Sequence, residues 1–137
     1  MMYTQTEILA KQALSRALKL SGAELLDDVA AVQNDCNGIG AAWFPESLRD
    51  LLDGLFPELE IAADIHDRRY SIGGGILARW RADFEFLCNG LRVALRFAGI
   101  SVRRRFLLAR TAVKFYLLLA IGGAAAFNYK KRGRNGI

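Results

Sequence analysis

The chain has 137 residues, 53% of them hydrophobic and only 2 of them proline, which is enough for one domain with a real core and too little for two. A composition rich in Leu, Ala and Arg excludes a disordered or collagen-like chain and favours an all-α fold. The net charge of +5 hides an asymmetry, because all 14 acids lie at or before Glu85 with 8 of the 19 bases, and the remaining 11 bases follow it with no acid; such a basic end points to an anionic partner, phospholipid or nucleic acid.

Thr4-x-x-Glu7 reads as a capping box, and the apolar spacing of Ile8, Leu14 and Leu18 predicts a helix over about 6–20. Ser21-x-x-Glu24 reads as a second capping box, opening a short helix that runs toward Val32. The polar, glycine-bearing segment Asn34-Asp35-Cys36-Asn37-Gly38-Ile39-Gly40 predicts a loop. Leu48, Leu51, Leu52 and Leu55 then suggest a short helix closed at Gly54.

Pro57 restarts the chain as a helix N-terminus, with Glu58 and Glu60 in the first turn where the helix dipole favours acids. This helix carries His66, the single histidine of the chain, and stops in Ser71-Ile72-Gly73-Gly74-Gly75. From Ile76 the helical pattern returns, and Leu87, Leu91, Ala94 and Ala98 lead to a stop near Gly99. The expected centre is therefore an antiparallel helix pair, about 58–70 and 76–98. Ser101 caps a last helix with an apolar stripe of Val102, Phe106, Ala109, Val113 and Leu117 and a basic one of Arg103, Arg110 and Lys114. The uncharged run from Phe115 to Tyr129 is 15 residues long, short of the ~20 that span a bilayer, so a core or interfacial helix is expected there. A single domain over 1–137 follows, ending in a basic helix at 101–129 and a frayed basic end.

Cys36 and Cys88 are far apart in sequence and form neither a zinc pattern nor a disulfide framework. The first residues lack the basic and apolar regions of a secretory signal, so cytoplasmic synthesis is the expectation.

His66 is the side chain whose intrinsic pKa suits proton transfer near neutral pH. His66 and Tyr70 are four apart and share a helix face, while Asp67 projects in another direction. Asp83 sits on an apolar edge of the following helix and needs a partner. Two candidates exist: His66 across the glycine turn, where Asp83 would fix the imidazole tautomer, and Arg79 one turn earlier on its own helix.

His66-Asp67-Arg68-Arg69-Tyr70, with Asp83 downstream and Cys36-Asn37-Gly38-Ile39-Gly40 upstream, resembles the phospholipase A2 superfamily, especially its short prokaryotic, viral and phage-encoded members. The resemblance covers about residues 34–90. It implies that His66 takes a proton from the water that attacks the sn-2 ester, that Asp83 orients His66, and that Tyr70 supports Asp83. It further implies Ca2+ held by the Asp67 carboxylate and the backbone carbonyls of Cys36, Gly38 and Gly40, with the Gly38 N–H and the cation stabilising the oxyanion. The implied partner is a phospholipid membrane surface whose anionic headgroups meet the basic C-terminal segment, in a phage or prophage setting, either virion-associated or peripheral to a membrane. Ala62 and Ala63 stand where secreted members carry a cysteine, so their disulfide lattice is not expected. The alternative is a catalytically inactive phage or membrane-associated module on the same scaffold. Nucleic-acid binding ranks below both, because the basic segment has no base-reading motif.

Overall fold

The computed structural model describes residues 3–36 and 54–122, and the expected loop at Gly38 and Gly40 and the expected helix before Gly54 fall largely outside them. Among the described residues the fold is all-α, with helices α1 (Gln5–Ala17), α2 (Val29–Asp35), α3 (Glu60–Ile72), α4 (Ile76–Arg96) and α5 (Val102–Gly122), and no strand element.

The Thr4 capping box forms in full: the Thr4 hydroxyl accepts from the Glu7 N–H, and the Glu7 carboxylate accepts from the Thr4 N–H. Helix α1 ends at Ala17, three residues before the expected stop, and Leu18 and Leu20 turn into the core. The expected capping box at Ser21 does not form. Ser21 is held by α4 instead: its N–H donates to Asn89 Oδ1 at 2.9 Å, and its hydroxyl donates to Glu85 Oε2 at 2.6 Å. A 3-10 turn, Ala23–Leu26, follows Gly22, and the helix that reaches Val32 is opened by the Asp28 side chain on the Ala31 N–H. Long-range partners outcompeted a local cap that the sequence permitted.

Pro57 opens a 3-10 turn, Pro57–Leu59, that feeds α3. Gly73 and Gly74 then reverse the chain at φ 73° and φ 137°, values that L side chains rarely adopt, and α4 returns antiparallel along α3. The buried face of α4 is Arg79, Ala82, Asp83, Phe86, Asn89, Gly90, Val93 and Ala94. Leu87 and Leu91, expected on that face, are only half-buried. The face is instead built around close approach and polar docking. A Cβ at Gly90 would lie 2.7 Å from the Ala112 Cβ, so glycine lets α5 pack directly against α4. Asn89 brackets Ser21, accepting from its N–H and donating to its carbonyl at 2.9 Å.

Ser101 caps α5 as expected, its hydroxyl accepting from the Arg104 N–H at 3.1 Å. Helix α5 folds back on α4, where Arg105 donates to the carbonyls of Ala94 and Leu95 at the end of α4. Four of the five residues of the expected apolar stripe of α5, Val102, Phe106, Val113 and Leu117, are exposed; Ala109 alone is half-buried against the core, and Leu108, Thr111 and Ala112 make the buried face. Ile8, Leu26, Val32, Leu59, Ile61, Ile65, Val93 and Leu108 form the centre of the core where these helices meet. Among the described residues no helix is long and apolar enough to cross a membrane.

Candidate active site

Helix α3 places His66 and Tyr70 on its buried face, one turn apart, with their rings 4.1 Å between centroids. The antiparallel return of α4 brings Asp83 between them. Asp83 Oδ1 lies 2.9 Å from His66 Nε2 and accepts from the Tyr70 hydroxyl at 2.5 Å, so two donors from α3 converge on one oxygen from α4. An ionised carboxylate only accepts, which puts the proton of the neutral imidazole on Nε2 and leaves Nδ1 with a lone pair. Phe86, one turn beyond Asp83, packs its ring edge against the imidazole at 5.6 Å. All three polar groups are buried. Burial, followed by the bond to Asp83, raises the Tyr70 phenol well above its ordinary range, so it remains a donor.

Both candidate partners of Asp83 are present at once. Arg79, itself buried, brings Nε to 3.9 Å from Asp83 Oδ2, a distance for charge interaction rather than a hydrogen bond. The Arg79 Nη2 donates to the carbonyls of Ala120, at 2.8 Å, and Leu119, at 3.3 Å. A basic residue that sequence reasoning weighed as the rival of His66 thus joins it around the same carboxylate.

On the adjoining side of α3, one carboxylate oxygen each of Asp64 and Asp67 and the Cys36 thiol lie within 4.8 Å of one another. Asp64 did not stand out in the sequence. Its signal was placement: it follows Ile61 and Ala62 and precedes Ile65 on a face that turns inward. Tyr3 donates to Asp64 Oδ1 at 2.9 Å, and Lys11 Nζ, which also donates to Glu60 at 2.6 Å, stands 2.7 Å from Asp64 Oδ2. Burial pushes the Asp64 carboxyl up to about 6 despite the opposing charge of Lys11.

At Cys36 the atom that lies near Asp67 is the side-chain sulfur. The thiol donates to the Asp64 carbonyl at 3.3 Å. Burial, then Asp64 and Asp67, raise this thiol far above its ordinary value, so it stays protonated and is no ligand for a hard cation. Carboxylate oxygens are the donor type a hard cation takes, and of the two here Asp64 is engaged by Lys11 and Tyr3. Gly38 and Gly40 lie outside the described residues. Cys36 and Cys88 are both free thiols.

Among the described residues after Glu85, four of the seven basic side chains bond within the fold. Arg104 pairs with Glu58 at 2.7 Å, Arg96 donates to the Leu18 carbonyl, Arg92 to Asn89, and Arg105 to the end of α4. Arg103, Arg110 and Lys114 are exposed. Beside them the outer faces of α4 and α5 expose large apolar side chains, including Leu77, Trp80, Phe84, Leu117 and Ile121. Comparison of the chain with family models, with curated proteins and with solved structures finds no match.

Proposed function

We propose that the chain is a calcium-dependent hydrolase of the phospholipase A2 type, cleaving the sn-2 ester of phospholipids with water activated by His66. The observation that carries this reading is the convergence of His66 Nε2 and the Tyr70 hydroxyl on Asp83 Oδ1. That arrangement fixes the tautomer, so that the nitrogen not bonded to Asp83, Nδ1, is the one able to take a proton.

In the reaction, the water oxygen bonds to the ester carbonyl carbon as its proton passes to His66 Nδ1. The imidazolium so formed is stabilised by Asp83, whose oxygen lies 2.9 Å from Nε2. Collapse of the tetrahedral intermediate breaks the bond to the glycerol oxygen, and His66 returns the proton to that oxygen. The products are a fatty acid and a lysophospholipid, and no serine or cysteine nucleophile takes part. A calcium ion, when bound by Asp67, would supply positive charge for the carbonyl oxygen. The Gly38 N–H is the expected second donor to that oxygen.

The lipid partner has support of its own. Trp80 and Phe84 are 54% and 56% exposed on one face of α4, and Phe84 touches Tyr116 of α5 with ring centroids 6.5 Å apart. An apolar face of this kind, next to exposed Arg110 and Lys114, suits an anionic bilayer surface. The same face would serve the non-catalytic alternative, a membrane-docking module. The intramolecular bonds of Arg92, Arg96, Arg104 and Arg105 weaken the nucleic-acid reading, because a guanidinium already bonded within the fold has fewer donors to offer phosphates. Fatty acid release from phosphatidylglycerol vesicles with and without Ca2+ separates the readings. The esterase requires calcium-dependent release, whereas the docking module binds the vesicles without hydrolysing them.

A further inference from the structure

We propose that Arg79 is a positioning residue for the His66–Asp83 dyad: its buried charge, braced on the carbonyls of α5, holds Asp83 and through it His66. The placement of Asp83 is uneven in a way that asks for such a group. Both hydrogen bonds to its carboxylate fall on Oδ1, and the buried Oδ2 accepts none among the described residues. A carboxylate held through one oxygen can still pivot about its last torsion, which is broad for Asp. A cation behind the second oxygen opposes that pivot, and Arg79 Nε stands there at 3.9 Å.

Arg79 can do this because it is itself fixed. It lies one helical turn before Asp83, and its Nη2 donates to the Leu119 and Ala120 carbonyls. A guanidinium does not lose its proton in a protein, so the charge is permanent. Its fork reaches the carboxylate and the helix carbonyls from different nitrogens, which a single ammonium cannot do with the same rigidity. The dyad is thereby tied to three elements: α3 supplies His66 and Tyr70, α4 supplies Asp83 and Arg79, and α5 supplies the carbonyls.

The inference rests on the esterase reading only for its kinetic consequence, and the test is built to keep the two apart. His66 is the single histidine, so the side-chain nitrogen and proton signals of an isotopically labelled sample belong to it without assignment by mutation. The wild-type protein and Arg79→Lys are expected to give one tautomer with the proton on Nε2, slow to exchange with water. Arg79→Met, which keeps the bulk and loses the charge, is expected to give mixed tautomers and a fast-exchanging proton. On phosphatidylglycerol vesicles with Ca2+, Arg79→Met should lower kcat ~10-fold or more with KM unchanged, and Arg79→Lys should recover most of it. If Arg79→Met does not fold, Arg79→Gln, neutral but still able to bond to the carbonyls, replaces it. A wild-type His66 spectrum in either neutral variant that folds overturns the proposal. Failure of both to fold assigns Arg79 to helix packing alone and overturns it as well. If the wild-type protein releases no fatty acid, the esterase reading falls, while the spectra still decide what Arg79 does.

Discussion

Asp83→Asn changes almost nothing in shape and nearly everything in the hydrogen bonding of the cluster. With its carbonyl oxygen at the Oδ1 position, the substituted amide could accept from His66 and Tyr70, but its N–H groups would then face Arg79, donor against cation. With the amide flipped, the N–H groups would meet His66 Nε2, now 2.9 Å from a donor, and the imidazole would have to move its proton to Nδ1. That is the nitrogen the mechanism needs free. Either orientation leaves the buried Arg79 without the carboxylate that stands 3.9 Å from it. Breaking a buried charge pair from one side costs about 3–5 kcal/mol. Hydrogen bonds retained by the amide would reduce this, so a loss of about 2–4 kcal/mol is expected from chemical denaturation. Hydrolysis should fall by ~10²–10⁴ at saturating Ca2+. The His66 side-chain spectrum should move toward the proton on Nδ1. A variant with wild-type stability and wild-type hydrolysis would refute the reasoning, because it would mean that neither the tautomer nor the charge of Asp83 matters.

The remaining expectations concern packing, pH and the lipid face. Gly90→Ala introduces a Cβ 2.7 Å from that of Ala112, about 1 Å inside normal contact. Overpacking of ~1–3 kcal/mol outweighs a helix-propensity gain of up to ~1 kcal/mol, so a lower Tm is expected. Ala112→Gly added to it should restore part of the loss. Asp64 has its carboxyl pushed up from 3.8 to about 6 in the folded protein. The folded state therefore holds this proton more tightly than the unfolded chain, and the group's contribution to stability is full at low pH and lost as pH rises across that window. The loss is at most about 3 kcal/mol. Stability measured from pH 4 to pH 7 should lose that slope in Asp64→Asn, and an unchanged slope would contradict the burial argument. Trp80→Ala combined with Phe84→Ala should weaken partition onto anionic vesicles by ~10-fold or more, since each ring withdraws about 1.5–3 kcal/mol of apolar burial. Both side chains are exposed, so Tm should change little.

Much of the centre was legible because it is local or sits next to a strong turn signal. Thr4 and Glu7 close a box within four residues, Ser101 caps α5 in the same way, and the glycines at 73–75 force the reversal that returns Asp83 to His66. The face that Asp83 belongs to was read only in part. Leu87 and Leu91 were expected inward because periodicity weighs hydrophobicity, whereas the observed contact uses the absence of a side chain at Gly90 and the double bond of Asn89 to Ser21. The same long-range bonds took Ser21 from the helix cap it could have formed. Asp64 stayed hidden because its partners come from the other end of the chain, Lys11 from α1 and Tyr3 from just ahead of it, the latter 61 positions away. The arginines of the basic half read as a surface charge until Glu58, the Leu18 carbonyl and the end of α4 were found to hold several of them.

Fatty acid release from phosphatidylglycerol vesicles, followed for the wild-type protein, His66→Gln and Asp67→Ala over a series of Ca2+ concentrations, tests the central claim most directly. The expected result is hydrolysis by the wild-type protein that is abolished by chelation, lost in His66→Gln, and lost or shifted to far higher Ca2+ in Asp67→Ala. Hydrolysis undiminished in either variant, or a folded wild-type protein that binds the vesicles and releases nothing at saturating Ca2+, would contradict it.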